Sequence, residues 1–263
     1  MQEIRSTNVT RPDSNFGTLV LRDYGTIDIM IYGYRVVNEE EVGLHPAGLV
    51  QISHYRGPGE GIDKMIKAVH ACRSQGIRYV IHPLGYFLSD TRDTYRAETM
   101  DIMRTIAEHV DLALIIHDER TPWGARLHDT YEKAFRDALE ELSSLCTVSI
   151  ENAGDTHDIK WFWQLFATSV TLDIGHLEAA GIDSIRFINE LEIDIINKIN
   201  YVHLHRYNGL DWRGTRDHWS LLKDCKELKA LKVLLERKED VGVILEINDM
   251  ENLKESLALL EKL

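Results

Sequence analysis

Eight short, apolar, β-branched runs alternate with longer amphipathic segments, and that alternation restricts the fold more than any other feature. The runs are Ile27–Tyr32, Gly48–His54, Ile77–His82, Asp111–His117, Cys146–Asn152, Ser169–Asp173, Ile199–His205 and Val241–Ile247. Their nearly continuous apolar character predicts strands covered on both faces, as in a parallel sheet. Helical spacing falls between them at Asp63–Ser74, Arg92–Glu108, Asp129–Leu145, Asp183–Asn197, Leu221–Glu236 and Met250–Leu263. Within the first of these, Met65, Ile66, Val69 and Cys72 recur every three or four residues, and Gly76 supplies a stop. Val36–Leu44 is short and contains Glu39, Glu40 and Glu41, so the first helix is expected to be abbreviated.

Eight strand–helix alternations in 263 residues predict an α/β protein built as a single (β/α)₈ TIM barrel. An open doubly wound sheet would carry a glycine-rich phosphate loop after an early strand. Gly57-Pro58-Gly59-Glu60-Gly61 follows a strand, but its spacing is wrong and it holds a proline. No linker, repeat or low-complexity stretch divides the chain. One domain is expected over 1–263, with 1–24 as an N-terminal extension or irregular segment.

Charge excludes some functions. Against 43 Asp+Glu stand 30 Lys+Arg, a net charge of −13. That excess argues against a broad grip on nucleic acid, which needs clustered cations to displace counterions. Cys72, Cys146 and Cys225 are few, scattered and odd in number, so neither a disulfide framework nor a cysteine zinc site is expected. The N-terminal residues have no apolar core of signal-peptide length, and no run is long enough to span a membrane. A cytoplasmic protein is expected.

Histidine is abundant, at 12 residues, and its placement points to chemistry. A TIM barrel carries its site at the C-terminal ends of its strands. There the second strand offers His54, the third His82, the fourth His117 and the fifth Glu151. The sixth offers Asp173 with His176 beyond it, the seventh His203 and His205, and the eighth Glu246. One histidine ending a strand is ordinarily a hydrogen-bonded structural residue, and one carboxylate there is ordinarily a helix cap. Seven consecutive strands ending in His, Asp or Glu would gather partly desolvated charge that needs a cation. His with carboxylate ligands suits zinc or manganese first, with magnesium, cobalt or iron as alternatives.

At these residues the chain resembles the xylose isomerase-like TIM-barrel superfamily, which includes sugar isomerases and epimerases and endonuclease IV-type AP endonucleases. The resemblance runs from about His54 to Glu246. It rests on LDIGHLEAAGID (172–183), SIEN with Glu151, VHLH with His203, the His218-Trp-Ser-Leu segment, LEI with Glu246, QISH with His54 and IHP with His82. It implies a metal held by Glu151, Asp173, His203 and Glu246. In endonuclease IV-like members, His54 and His82 would join Glu151 around a second ion. His176 and His218 would hold a third, giving one to three ions in all. An aspartate expected two residues before His218 is Arg216 here, which suits a phosphate or carboxylate oxygen better than a metal.

Two activities follow from the resemblance. In the preferred one, a metal polarises the carbonyl and hydroxyl of a small sugar or sugar phosphate while Glu151 and Glu246 move a proton at carbon. His176, His205 and His117 would then bind substrate, Arg216 an anionic group, and Trp123 a sugar face. A packed loop anchor is an equal reading for Trp123. In the alternative, the metals drive phosphodiester hydrolysis at abasic DNA, with Glu151 bridging. The charge of −13 and Arg216 weigh against DNA as the partner. A third reading is a barrel that has kept its shape and lost activity. Substrate identity and oligomeric state are not legible.

Overall fold

Every one of the apolar runs contributes to a barrel strand. The computed structural model describes residues 31–57, 61–154, 156–211, 214–215, 218–248 and 250–263. Its barrel strands are, in order, Ile31–Val36, Leu49–Tyr55, Arg78–Leu84, Leu114–His117, Val148–Glu151, Ser169–Asp173, Ile199–Leu204 and Gly242–Leu245. They close into one barrel, each parallel to the next and the eighth parallel to the first. The first strand runs on to Val36, beyond the expected end at Tyr32. Residues 27–30 of the expected strand and the expected extension over 1–24 lie outside the described residues. Between the first two strands stands only the 3₁₀ turn Glu39–Glu41, the abbreviated helix its glutamates foretold.

Two apolar layers hold the barrel. Leu49, Val80, Ala113, Ile115 and Ile244 form a small plug inside it, with Leu112 and Tyr201 against them. The alternate residues, such as Val50, Ile52, Tyr79 and Ile81, face outward into the larger core under the helices. Gly33 is required at the seam: a Cβ there would lie 1.7 Å from the Leu49 carbonyl oxygen of the next strand.

The helices largely follow the periodicity. Ile62–Gln75 buries Met65, Val69 and Cys72 and ends at Gly76 in the left-handed conformation, φ 67°. Asp93–Ala107, Asp129–Ser143 and Met250–Leu260 occupy the expected places. Three connections differ. Ile159–Phe166 is a helix between the fifth and sixth strands that the sequence reading passed over. The expected helix Asp183–Asn197 is two, Ser184–Asn189 and Ile193–Lys198, each with its own cap residue, Asp183 and Glu192. The expected Leu221–Glu236 begins only at Lys226. No helix among the described residues is long and apolar enough to cross a membrane. All three cysteines are free.

Candidate metal centre

Strand alternation above the apolar plug decides which polar residues meet. On the second strand, Leu49, Gln51 and Ser53 face inward, and Gln51 Nε2 donates across the barrel to Glu246 Oε1. His54 therefore faces outward with Val50 and Ile52. Its Nε2 meets the Tyr86 hydroxyl at 2.9 Å and its ring stacks on Tyr86. The structure does not bring His54 to the expected second cation position. The strand runs one residue beyond the expected end, to Tyr55, and its last inward residue is Ser53, so period 2 turns His54 to the other face.

Inward parity does gather Glu151, Asp173, His203 and Glu246, all buried, with one donor atom of each within 4.8 Å of the others. His203 Nδ1 stands 3.1 Å from Glu151 Oε1, 3.9 Å from Asp173 Oδ2 and 3.8 Å from Glu246 Oε2. Despite that proximity, both oxygens of Glu151 and both ring nitrogens of His203 lack a hydrogen bond of acceptable geometry. Unpaired buried polar atoms are costly. Atoms that converge on a point without bonding one another fit a shared cation, and three carboxylates with one imidazole suit a divalent metal.

Each ligand candidate is held from behind. Asn152 clamps the Asp173 backbone: Oδ1 accepts from Asp173 N at 2.7 Å and Nδ2 donates to Asp173 O at 2.8 Å. Asp173 caps the short helix Ile174–Ala179, accepting from His176 N at 2.6 Å. Glu246 is held by Gln51 and by His218 Nε2 at 3.2 Å. Arg35 on the first strand, which donates to Asn248, adds positive charge near Glu246.

Electrostatics reflect the crowding. Burial works against ionisation of Glu151, but His203, His82 and His117 outweigh it and hold the carboxyl down at about 2. Asp173 and Glu246 are likewise lowered: histidines overcome burial in both, with Arg35 assisting at Glu246. Burial lowers His203, but Glu151 and Glu246 outweigh it and push the imidazole up to about 9. Without metal, a proton on His203 thus takes the cation's place among three carboxylates.

A second group shares Glu151. His82, His117 and Glu151 also bring donor atoms within 4.8 Å. The two Glu151 oxygens divide between the groups: Oε1 faces His203, while Oε2 faces His82 at 3.2 Å and His117 at 3.6 Å. His82 Nδ1 lies 2.9 Å from the Ile115 carbonyl, which can only accept. Its proton is therefore on Nδ1, and the Nε2 lone pair points at a carboxylate. Burial lowers His82 to about 4, so the ring stays neutral. A backbone carbonyl behind Nδ1 and a bare Nε2 in front is the arrangement of a metal-ligating histidine. His117, expected to touch substrate, takes the place expected of His54.

A third group, His176, His205 and His218, meets the same distance criterion. His176 is partly exposed at the mouth, its Nδ1 3.2 Å from Asn152 O. Trp123 is 62% exposed and stands edge-on to Tyr131 at 5.3 Å, on a loop of the same face. Arg216 lies outside the described residues. A cavity of about 610 Å³ is walled by Phe87, Arg92, Asp118, Glu119, Arg120 and Tyr131, among others. Its walls are braced by two buried carboxylates: Asp118 accepts from Ala153 N and Gly154 N, and Glu119 from Leu88 N and Ser89 N. Sequence reasoning missed Gln51, Asn152 and Arg35. Gln51 was visible as a polar residue inside an apolar run, and Asn152 as the neighbour of Glu151.

No family model matches the chain, and no curated protein matches it in sequence. Solved structures do share its fold. A D-tagatose 3-epimerase-like protein is 15% identical with a TM-score of 0.67, over 89% of this chain and 96% of that one. A xylose isomerase domain containing protein from Salmonella typhimurium LT2 is 15% identical with a TM-score of 0.55, over 89% and 94%. D-psicose 3-epimerase from Clostridium cellulolyticum H10 is 10% identical with a TM-score of 0.54, over 89% and 98%. At these identities the likeness is one of fold. What the likeness shows is a shared fold, the closed (β/α)₈ barrel of these epimerase and xylose isomerase domain structures.

Proposed function

We propose that the protein is a divalent-metal-dependent isomerase or epimerase of a small sugar or sugar phosphate. The observation that carries this reading is the quartet Glu151, Asp173, His203 and Glu246, buried and convergent, with unpaired atoms on Glu151 and His203. A cation held there would polarise a substrate carbonyl and the neighbouring hydroxyl. Glu151 and Glu246 come from the fifth and eighth strands and so approach a bound sugar from different sides. With both carboxyls held low, each is ionised at neutral pH and ready to accept a proton from carbon. One would take the proton from carbon, and the other, after taking up a proton from solvent, would deliver it to the opposite face, which inverts the centre. Gln51 and His218 keep Glu246 aimed. The cavity walled by Phe87, Asp118, Glu119 and Tyr131 would receive the rest of the substrate, with Phe87 and Tyr131 offering apolar surface to a sugar face.

The test is solvent exchange. Protein loaded with Mn²⁺, Co²⁺ or Zn²⁺ is incubated with a panel of ketoses and ketose phosphates in D₂O, and deuterium at the carbon beside the carbonyl is followed by NMR. Exchange that vanishes in Glu246→Gln, with metal retained, supports the reading. No exchange with any sugar or metal removes it.

A second reading rests on one observation, the division of Glu151 between two ligand groups. Two cations bridged by a carboxylate form a centre for phosphodiester hydrolysis. Two ions per chain together with cleavage of abasic-site duplex DNA would establish it over the isomerase.

A further inference from the structure

The resemblance gives a third cation to His176 and His218; the structure brings His205 into that group, and His205 does not fit a ligand's role. His176, His205 and His218 approach within 4.8 Å, yet both ring nitrogens of His205 are already bonded within the protein. The His218 backbone N–H donates to His205 Nδ1 at 3.0 Å. A backbone N–H only donates, so Nδ1 carries the lone pair and the ring proton sits on Nε2. That Nε2 lies 3.2 Å from Asp173 Oδ2 and 3.2 Å from Oδ1, so it donates to the carboxylate. A cation bound through His205 would have to break one of these bonds around a fully buried ring.

Independent features show that this placement is built into the fold. Gly175 forms the seat of the ring: a Cβ there would lie 2.2 Å from His205 Cε1 and 2.4 Å from Nδ1. His218, whose N–H fixes the tautomer, holds φ at 60°, a left-handed conformation costly for a residue with a side chain. The two imidazoles stack at 4.4 Å and 7°. His218 also reaches the quartet from its other end, with Nε2 3.2 Å from Glu246 Oε2. One strained residue therefore touches one quartet carboxylate directly and another through His205.

We propose that His205 and His218 are a positioning pair and that His205 is not a metal ligand: the His218 backbone sets the tautomer of His205, His205 orients Asp173, and the His218 ring orients Glu246. What the carboxylates are oriented toward rests on the quartet reading above. The number of ions per chain therefore does not depend on His205, while the affinity at the quartet does.

Metal counting with an affinity titration tests this. His205→Ala and Gly175→Ala, loaded with Zn²⁺ or Mn²⁺, are expected to bind as many ions as the unaltered protein, held about ten- to a hundredfold more weakly. His205→Gln, whose amide both accepts and donates, recovers part of that loss. A count reduced by one in His205→Ala, with the affinity of the remaining ions unchanged, overturns the proposal. A second measurement uses the unaltered metal-free chain and so is independent of variant folding. Long-range ¹H–¹⁵N NMR of labelled histidine should show His205 bare at Nδ1 and protonated at Nε2, and the reverse tautomer overturns the pair. If the unaltered protein takes up no metal, the quartet reading fails, and the NMR result still decides the pair.

Discussion

Metal binding at neutral pH should expel a proton, and the structure sets how much that costs. The perturbation is simply the pH at which metal-free protein is titrated with Zn²⁺ or Mn²⁺. His203 must be neutral to serve as a ligand. In the metal-free protein Glu151 and Glu246 overcome its burial and hold the imidazole at about 9. At pH 7 the proton is bound, and its removal spans roughly two pH units, about 3 kcal/mol. Proton and cation compete, so affinity rises with pH, about tenfold per unit, and levels off above about 9. His82, held near 4 by burial, has no proton to lose at pH 7. His176 is raised, its burial outweighed by Asp173 and Glu151, and adds a fractional release wherever the cation's charge reaches it. Calorimetry in two buffers of different ionisation enthalpy counts the protons, expected to be at least one per quartet ion at pH 7. A flat affinity from pH 6.5 to 8.5 with no proton release would refute the reasoning.

Other outcomes follow from the same geometry. Metal-free protein should lose stability with rising pH, because the His203 contribution is complete below its unfolded value near 6.5 and is lost through about 9. On the acid side, the depressed Glu151 contributes above its unfolded value near 4.5, and that contribution fades as pH falls toward about 2. Denaturant titrations across pH with chelator present should therefore peak between those limits, and a maximum above pH 8 would contradict the assignment. His54→Ala should leave ion number and affinity unchanged while costing about 2 kcal/mol, since it removes a buried partner of Tyr86. Loss of an ion in that variant would return His54 to the site. Gly33→Ala should destabilise by about 3 kcal/mol or prevent folding, because its Cβ has no room beside the Leu49 carbonyl. A thermal melt within a degree of the unaltered protein would show that the seam yields.

The barrel was legible because strands covered on both faces are written as apolar runs, and eight such runs allow few architectures. The same property hid parity. QISH puts polar residues on both faces, Gln51 and Ser53 on one and His54 on the other, so the terminal histidine alone does not say which face turns inward. Gln51, a lone amide in an apolar strand, carried that information. On the third to eighth strands the polar terminal residues obeyed alternation, and the quartet came together. The helix Ile159–Phe166 was missed because Trp161 and Leu165 blur its polar face, although Ile159, Phe162, Trp163 and Phe166 keep helical spacing and are buried. Arg35 was missed because the first strand continues past the apolar run that announced it. The tautomer of His205 could not be read at all: it depends on a backbone N–H thirteen residues away and on the absence of a side chain at Gly175.

The central claim is that Glu151, Asp173, His203 and Glu246 together hold a divalent cation. An anomalous-difference map from crystals grown with Mn²⁺ or Zn²⁺ tests it most directly. The account predicts a peak about 2.0–2.3 Å from one donor atom of each of the four residues. Density showing the four side chains hydrogen-bonded to one another, with no anomalous peak among them, would contradict it.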